Sequence, residues 1–352
     1  MTVGGPAFHT RAAMSGLRER TARVLGYLRG LHATHFLDVG VRLGLFQALA
    51  SGPRRAADLA ASLGLTERCV AAFCEMGAHL EVLEREGDAF RLADDMDRLL
   101  ASPDDLFYMG DLPRMHIAMG RDYAGYPGLF QGGPVFPFQA HDREFLETVA
   151  SASRSLPALL LEKVAPRMPS LLVKGMAGGR ILDVGCGAGH ALVAFAERFP
   201  RCRCAGLEIE PVSAGLARER VRARGLEERV QVYERWEDVP GARGGFDLVT
   251  QFLVLHEIRP ELKQEVLGRC ADALGPGGLM VLFDECWPPD EDTARDPVMG
   301  FAVVAQWLEL GWGNVINTRE EILALLRGAG LEPCEEAGLS RFRIFSARKP
   351  GA

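Results

Sequence analysis

The stretch that decides the fold is Ile181-Leu182-Asp183-Val184-Gly185-Cys186-Gly187-Ala188-Gly189. A short apolar run carries an acid and ends in glycines at every second position. An amphipathic stretch follows, His190 to Phe199, with Leu192, Phe195, Ala196 and Phe199 at helical spacing. That order reads as strand, tight turn, helix. Glycine permits the sharp turn and leaves no Cβ between the backbone and a ligand, although a buried turn would need glycine for steric reasons alone. The next apolar run, Cys202 to Ile209, ends in Leu207-Glu208-Ile209-Glu210. An acid at the tip of this second strand is placed to accept two ribose hydroxyls of a bound nucleoside, which favours the ligand reading.

Toward the C-terminus the pattern alternates. Strands are expected at Arg180–Val184, Cys204–Glu208, Val230–Tyr233, Leu248–Phe252, Leu279–Asp284 and Arg341–Ala347, with helices between most of them. This predicts an α/β fold, a Rossmann-like doubly wound and mainly parallel sheet, with its ligand across the carboxyl ends of the strands. An insertion from Pro288 to Gly313, carrying Trp307 and Trp312, is expected over that same edge.

Toward the N-terminus the first 15 residues read as a disordered leader. Two helical patterns follow, one with Leu17, Val24, Leu25 and Leu28, the other from His35 to Leu49 and stopped by Gly52-Pro53. A short helix (Asp58 to Leu63), a Gly64 turn and a longer helix (Thr66 to Leu80) come next, with Thr66 as the expected N-cap. Val82–Glu84 and Ala89–Leu92 flank Glu86-Gly87-Asp88 as a hairpin. Together these make an α-helical winged-helix domain over residues 16–100. Phe36, Val39, Leu43 and Phe46 recur at helical spacing and are expected to form a two-fold interface. From Thr66 to Asp88, Arg68 and Arg85 stand against Glu67, Glu75, Glu81, Glu84, Glu86 and Asp88, a face that would repel a duplex. Residues 101–170 are expected to form a linker and helical pocket wall. Their first part is rich in Pro, Met and aromatic residues, with Tyr108, Arg114, His116, Arg121 and Tyr123 as candidate polar contacts to a substrate, and Trp307 is expected to join them. Residues 171–352 make the nucleoside-binding domain.

The 352 residues, 48% apolar and 25% charged, suit an ordinary globular chain. A net charge of −7 argues against a general affinity for nucleic acid. No apolar run is long enough to span a membrane, and no secretory signal is expected. The eight cysteines show neither C-x-x-C nor zinc-site spacing, so reduced thiols, no metal and a cytoplasmic location are expected.

Four elements in order, Asp183 to Gly189, Glu208, Phe246-Asp247-Leu248-Val249 and Leu274-Gly275-Pro276-Gly277-Gly278, resemble the class I S-adenosylmethionine-dependent methyltransferases. With the N-terminal domain, and with His35 to Leu49 similar to a dimerisation helix, the chain resembles bacterial relatives of the plant-type small-molecule O-methyltransferases. The resemblance implies S-adenosylmethionine as methyl donor, S-adenosylhomocysteine as product, and a homodimer. It implies a cofactor site at Asp183, Gly185, Gly187, Gly189, Glu208, Ile209, Glu234, Arg235, Trp236 and Gln251. Glu234-Arg235-Trp236 stands where the family has Gly-Asp and an aromatic residue; Tyr233 replaces the glycine. Leu255-His256-Glu257 resembles the Leu-His-Asp that carries the catalytic base, so His256 is the implied base and Asp284 the first of its two flanking acids. The second would fall near Ile316, where no acid stands. That gap keeps sulfur, carbon or nitrogen acceptors open beside oxygen. It leaves standing a reading of another class, a winged-helix regulator whose methyltransferase fold senses a ligand.

Overall fold

The computed structural model describes residues 11–351. Most of the expected leader lies outside the described residues; 11–15 already belong to the first helix. The chain divides into two compact units, Met1–Ile117 and Ala118–Ala352, so the Pro-rich stretch from residue 101 is shared between them.

The first unit is a winged helix. Helix α1 (Arg11–Arg42) runs unbroken through the stretch where two helices were expected; its solvent-facing Gly26 and Gly30 weaken a helix without ending it. The chain turns at Gly44, with φ 69°, into α2 (Leu45–Leu49). There follow β1 (Arg54–Arg55), α3 (Ala56–Leu63), α4 (Glu67–His79), β2 (Leu83–Glu86) and β3 (Ala89–Leu92), the strands pairing antiparallel in the order β1-β3-β2. Thr66 stands at the N-cap of α4, but its hydroxyl makes no capping bond.

The domain core corrects the expected interface. Phe36 and Phe46 are buried at 7% and 0% exposure. Both pack on Phe73, Phe36 stacking at 4.4 Å between ring centroids. Gly40 makes room, since a Cβ there would lie 2.3 Å from the Phe46 ring. Only Val39 and Leu43 of the four face outward, in line with exposed Leu17, Val24, Leu25, Leu28 and Leu31 of α1.

The second unit holds a seven-stranded sheet. Its strands are β4 (Arg180–Val184), β5 (Arg203–Leu207), β6 (Val230–Tyr233), β7 (Phe246–Phe252), β8 (Leu274–Glu285), β9 (Glu332–Leu339) and β10 (Phe342–Arg348), in the order β6-β5-β4-β7-β8-β10-β9. The five strands from β6 to β8 are parallel; β10 runs antiparallel between β8 and β9. One face buries Ile181, Leu248, Phe283 and Ile344, the other Leu182, Val249, Leu282 and Phe345. Near-continuous apolar strands are what a sheet covered on both faces requires. The strand order reverses between β4 and β7, and their carboxyl ends open the crevice in which such sheets bind ligands.

Candidate active site

The turn after β4 is built as its glycines suggest. Gly185, Gly187 and Gly189 have φ of 72°, 51° and 80°, values that side-chain-bearing residues rarely adopt. Their surroundings differ. A Cβ on Gly185 would meet Val254 at 2.6 Å, and one on Gly189 would meet Ala217 at 3.0 Å, but one on Gly187 meets nothing within 4 Å. Gly187 therefore leaves an open cradle, while its neighbours permit close packing.

Two acids frame that cradle. Asp183 is fully buried; its Oδ1 accepts from the Thr250 hydroxyl at 2.6 Å, and its Oδ2 has no partner. Burial, with a contribution from the Glu208 charge, pushes its carboxyl up to about 7. Glu208 accepts the Gly187 and Glu210 amides at 2.9 Å each, so the backbone aims its carboxylate at the turn. Burial raises its pKa also. Ile209 beside it is 67% exposed. Glu234 is joined to Arg218 at 2.7 Å, Arg235 extends toward Glu237, and Trp236 packs on the core of the Leu182 face of the sheet. Gln251 lies elsewhere. It is buried with its amide 3.8 Å from Cys270 on the helix Lys263–Ala273, and its Oε1 is unpartnered. Its place in sequence is near the strand end, but the pleat sends its side chain to the face covered by the helix Lys263–Ala273.

The second half of the site forms where β7 and β8 end. Leu253 takes φ 58°, and this turn delivers the 3₁₀ segment Leu255–Glu257. Asp284, at 1% exposure, fixes the turn by accepting the Leu255 amide at 2.7 Å and the His256 amide at 3.3 Å. It also accepts the Nδ1–H of His256. That bond settles the tautomer and leaves Nε2 facing Glu257 Oε1 at 4.0 Å and Glu309 Oε1 at 3.9 Å. Burial alone would depress the imidazole pKa; Asp284, Glu309 and Glu257 together outweigh it and push it up to about 10.

Glu309 is the acid beside His256 that sequence reasoning missed. It stands on the helix Phe301–Trp312, inside the insertion, at 5% exposure. Its Oε2 accepts from the Asn314 amide at 2.9 Å, and burial raises its pKa. It fills the place beside the histidine that the sequence pattern assigned near Ile316; Ile316 itself is a buried core residue. A lone acid in Trp307-Leu308-Glu309-Leu310-Gly311-Trp312 was the available signal, because an acid in a helix this apolar must find a buried use. The same helix is tied down by Tyr126, whose hydroxyl donates to the Trp307 and Leu308 carbonyls, and by Trp312, whose indole N–H donates to Asp122 at 2.8 Å.

Residues 181–278 match a family model described as a methyltransferase domain. An N,N-dimethyltransferase, OxyT, of Streptomyces rimosus is 26% identical over 279 residues, covering 75% of this chain and 78% of its own. The chain is an S-adenosylmethionine-dependent methyltransferase. A 3-hydroxy-5-methyl-1-naphthoate 3-O-methyltransferase of Streptomyces sahachiroi is 27% identical over 323 residues, 89% of each chain. CalO1, a methyltransferase in calicheamicin biosynthesis solved in its SAH-bound form, superposes with a TM-score of 0.69 at 20% identity, over 96% of this chain and 99% of that one.

The methyltransferase's own residues fit its methyl donor. The cradle at Gly187 has space for a ligand, Asp183 offers a buried acceptor without a partner, and Glu208 is held by amides at the turn. Among the described residues no three His, Cys, Asp or Glu side chains are grouped to hold a metal, and no helix is long and apolar enough to cross a membrane. Of the residues expected to touch substrate, Tyr123 and Trp307 belong to this unit, exposed at 37% and 47%. They bracket Tyr126, at centroid distances of 5.0 and 5.2 Å. Tyr108, Arg114 and His116 belong to the first unit.

Proposed function

We propose that this methyltransferase methylates a hydroxyl group of a small molecule, with His256 as general base. The observation that carries this reading is the buried Asp284–His256 pair, which leaves Nε2 between two further acids and, among the described residues, without a hydrogen bond. Bound S-adenosylmethionine supplies an electrophilic methyl group. When bound, it would be held by the glycine turn at its methionine portion, by Glu208 at its ribose and by Ile209 with Glu234 to Trp236 at its adenine, while the unpartnered Asp183 carboxyl oxygen would be available to its amino group. On the acceptor side, Nε2 takes the hydroxyl proton as the oxygen becomes nucleophilic, and Asp284 and Glu309 stabilise the imidazolium that forms. Tyr123 and Trp307, which bracket Tyr126, are proposed to shape the acceptor pocket. The exposed apolar line on α1 from Leu17 to Leu43 is proposed to be covered by a second copy of the chain.

A histidine whose basicity is raised by flanking acids suits a weakly acidic hydroxyl such as that of a phenol. An amine acceptor is the second reading, favoured by the acids around Nε2. Transfer of labelled methyl from S-adenosylmethionine to a panel of phenols, amines and thiols separates them. On the best phenol, His256→Ala is expected to lower turnover by about 10²–10⁴-fold with donor affinity unchanged. Because only the neutral ring accepts a proton, the wild-type rate should climb with pH from 7 toward about 10. Near-normal turnover in His256→Ala with a flat pH profile would refute the base and favour an acceptor that needs none.

A further inference from the structure

Lys263 is a buried cation that the proposed chemistry does not use. It opens the helix Lys263–Ala273, where the positive end of the helix dipole disfavours a cation, and it is only 2% exposed. Its Nζ donates to the Val315 carbonyl at 2.5 Å and to Asn317 Oδ1 at 2.6 Å. Both acceptors are neutral, and an ammonium held on neutral partners inside a protein is costly. Burial lowers its pKa, against the more distant charges of Asp284, Glu321 and Glu309. A solvated surface lysine would carry none of this cost.

Both acceptors lie in the segment that leaves the Glu309 helix. The Asn314 amide N–H donates to the Glu309 carbonyl at 2.9 Å, and its side chain to Glu309 Oε2 at 2.9 Å. The Ile316 N–H donates to Gln306 Oε1 at 2.7 Å, and the Trp287 N–H to the Asn317 carbonyl at 2.9 Å. Lys263 grips this segment from the first position of its helix, at Val315, one residue beyond Asn314, and again at Asn317. We propose that Lys263 is a positioning residue: its ammonium clamps Val315 and Asn317 so that Asn314 holds the Glu309 carboxylate against Nε2 of His256. It touches neither substrate nor reacting atoms, and the inference rests on His256 being a base flanked by Glu309.

Charged groups face this arrangement from every side. His256 is met by Asp284 from β8, Glu309 from the helix Phe301–Trp312 and Glu257 from its own turn, with Glu208, just after β5, acting on Glu257. Lys263 is met by Asp284, Glu309 and Glu321. Losing the Glu309 carboxylate from Nε2 should lower the imidazole midpoint, whereas losing the cation's field alone should raise it. The sign therefore separates a clamp from a mere charge.

The test is an NMR titration of histidine Cε1 resonances in the full-length protein without acceptor, His256 being assigned by its absence from His256→Ala. Glu309→Gln should lower the His256 midpoint by about one unit or more. Lys263→Met should lower it by at least half that shift, and should add nothing in the Glu309→Gln background. Asn317→Ala, which keeps the cation and removes one tie, should give a smaller fall. A midpoint unchanged or raised in Lys263→Met overturns the proposal, as does a fall that persists undiminished in the Glu309→Gln background. Calorimetric binding of S-adenosylmethionine reports folding; should Lys263→Met not fold, an unchanged midpoint in Asn317→Ala is the overturning result. If Glu309→Gln itself leaves the midpoint in place, the flanked-base reading falls, and the clamp with it.

Discussion

Gly185 and Gly187 stand two residues apart in one turn, yet their replacement by alanine should do opposite things. Both have φ in the left-handed region, at 72° and 51°, which costs an L-residue about 1–2 kcal/mol. For Gly187→Ala that is the whole penalty to folding, because the new methyl meets no atom within 4 Å. For Gly185→Ala the methyl would lie 2.6 Å and 2.7 Å from the two Val254 methyls, and overpacking adds about 1–3 kcal/mol. The Gly185 variant should therefore lose about 2–5 kcal/mol of stability in urea denaturation. Adding Val254→Ala should recover the overpacking part and leave the backbone part. Gly187→Ala should lose only the backbone part, about 1–2 kcal/mol, but its methyl projects into the cradle assigned to the methyl donor. Its affinity for S-adenosylmethionine by calorimetry should fall tenfold or more, at least about 1.4 kcal/mol. Unchanged affinity in a folded Gly187→Ala protein would mean that the open space belongs to no ligand, and would refute the reasoning for the whole turn.

Glu208→Ala should weaken donor binding at least tenfold, since hydrogen bonds to a charged group contribute about 1.5–3 kcal/mol; calorimetry at fixed salt checks it. Sedimentation should report a dimer, near twice 38.4 kDa, that weakens in a Leu25→Lys, Leu28→Lys variant of the exposed α1 face; a wild-type monomer at micromolar concentration would remove the interface. Stability should decline as pH rises. The Asp183 and His256 pKa values are raised in the folded state, to about 7 and about 10. Each therefore contributes stability that is full below its unfolded value and lost as pH climbs through the folded one. His256→Gln should flatten the upper limb, from about pH 6.5 to 10, in thermal melts, and a melting temperature rising over that range would contradict the assignment.

Much of this was legible because it depends on local pattern. The strand–turn–helix at Asp183 to Gly189, the acid just after β5 and the histidine just after β7 are each marked by a few consecutive residues. What escaped depended on tertiary context. Glu309 reaches His256 from a separate helix, so its role follows from how the insertion packs and not from spacing to the next strand. Strand β9 was not foreseen, since Pro333, three glutamates and Gly338 in eight residues contradict strand propensity. Only an outer position in the sheet tolerates them. Phe36 and Phe46 had the right period for an exposed interface, but a helical stripe says which residues share a face, not what covers it.

The composition of β9 also bears on how the molecule behaves in a crowded solution. An open sheet ends in two rims, and an unprotected rim invites a foreign strand to continue the ladder. Along this outermost strand, Glu332 and Glu336 are exposed and Pro333 contributes no N–H. A strand arriving from another molecule would meet like charge and a missing donor in its first few residues. The features that hid β9 from a propensity reading thus act as a guard against edge-to-edge polymerisation.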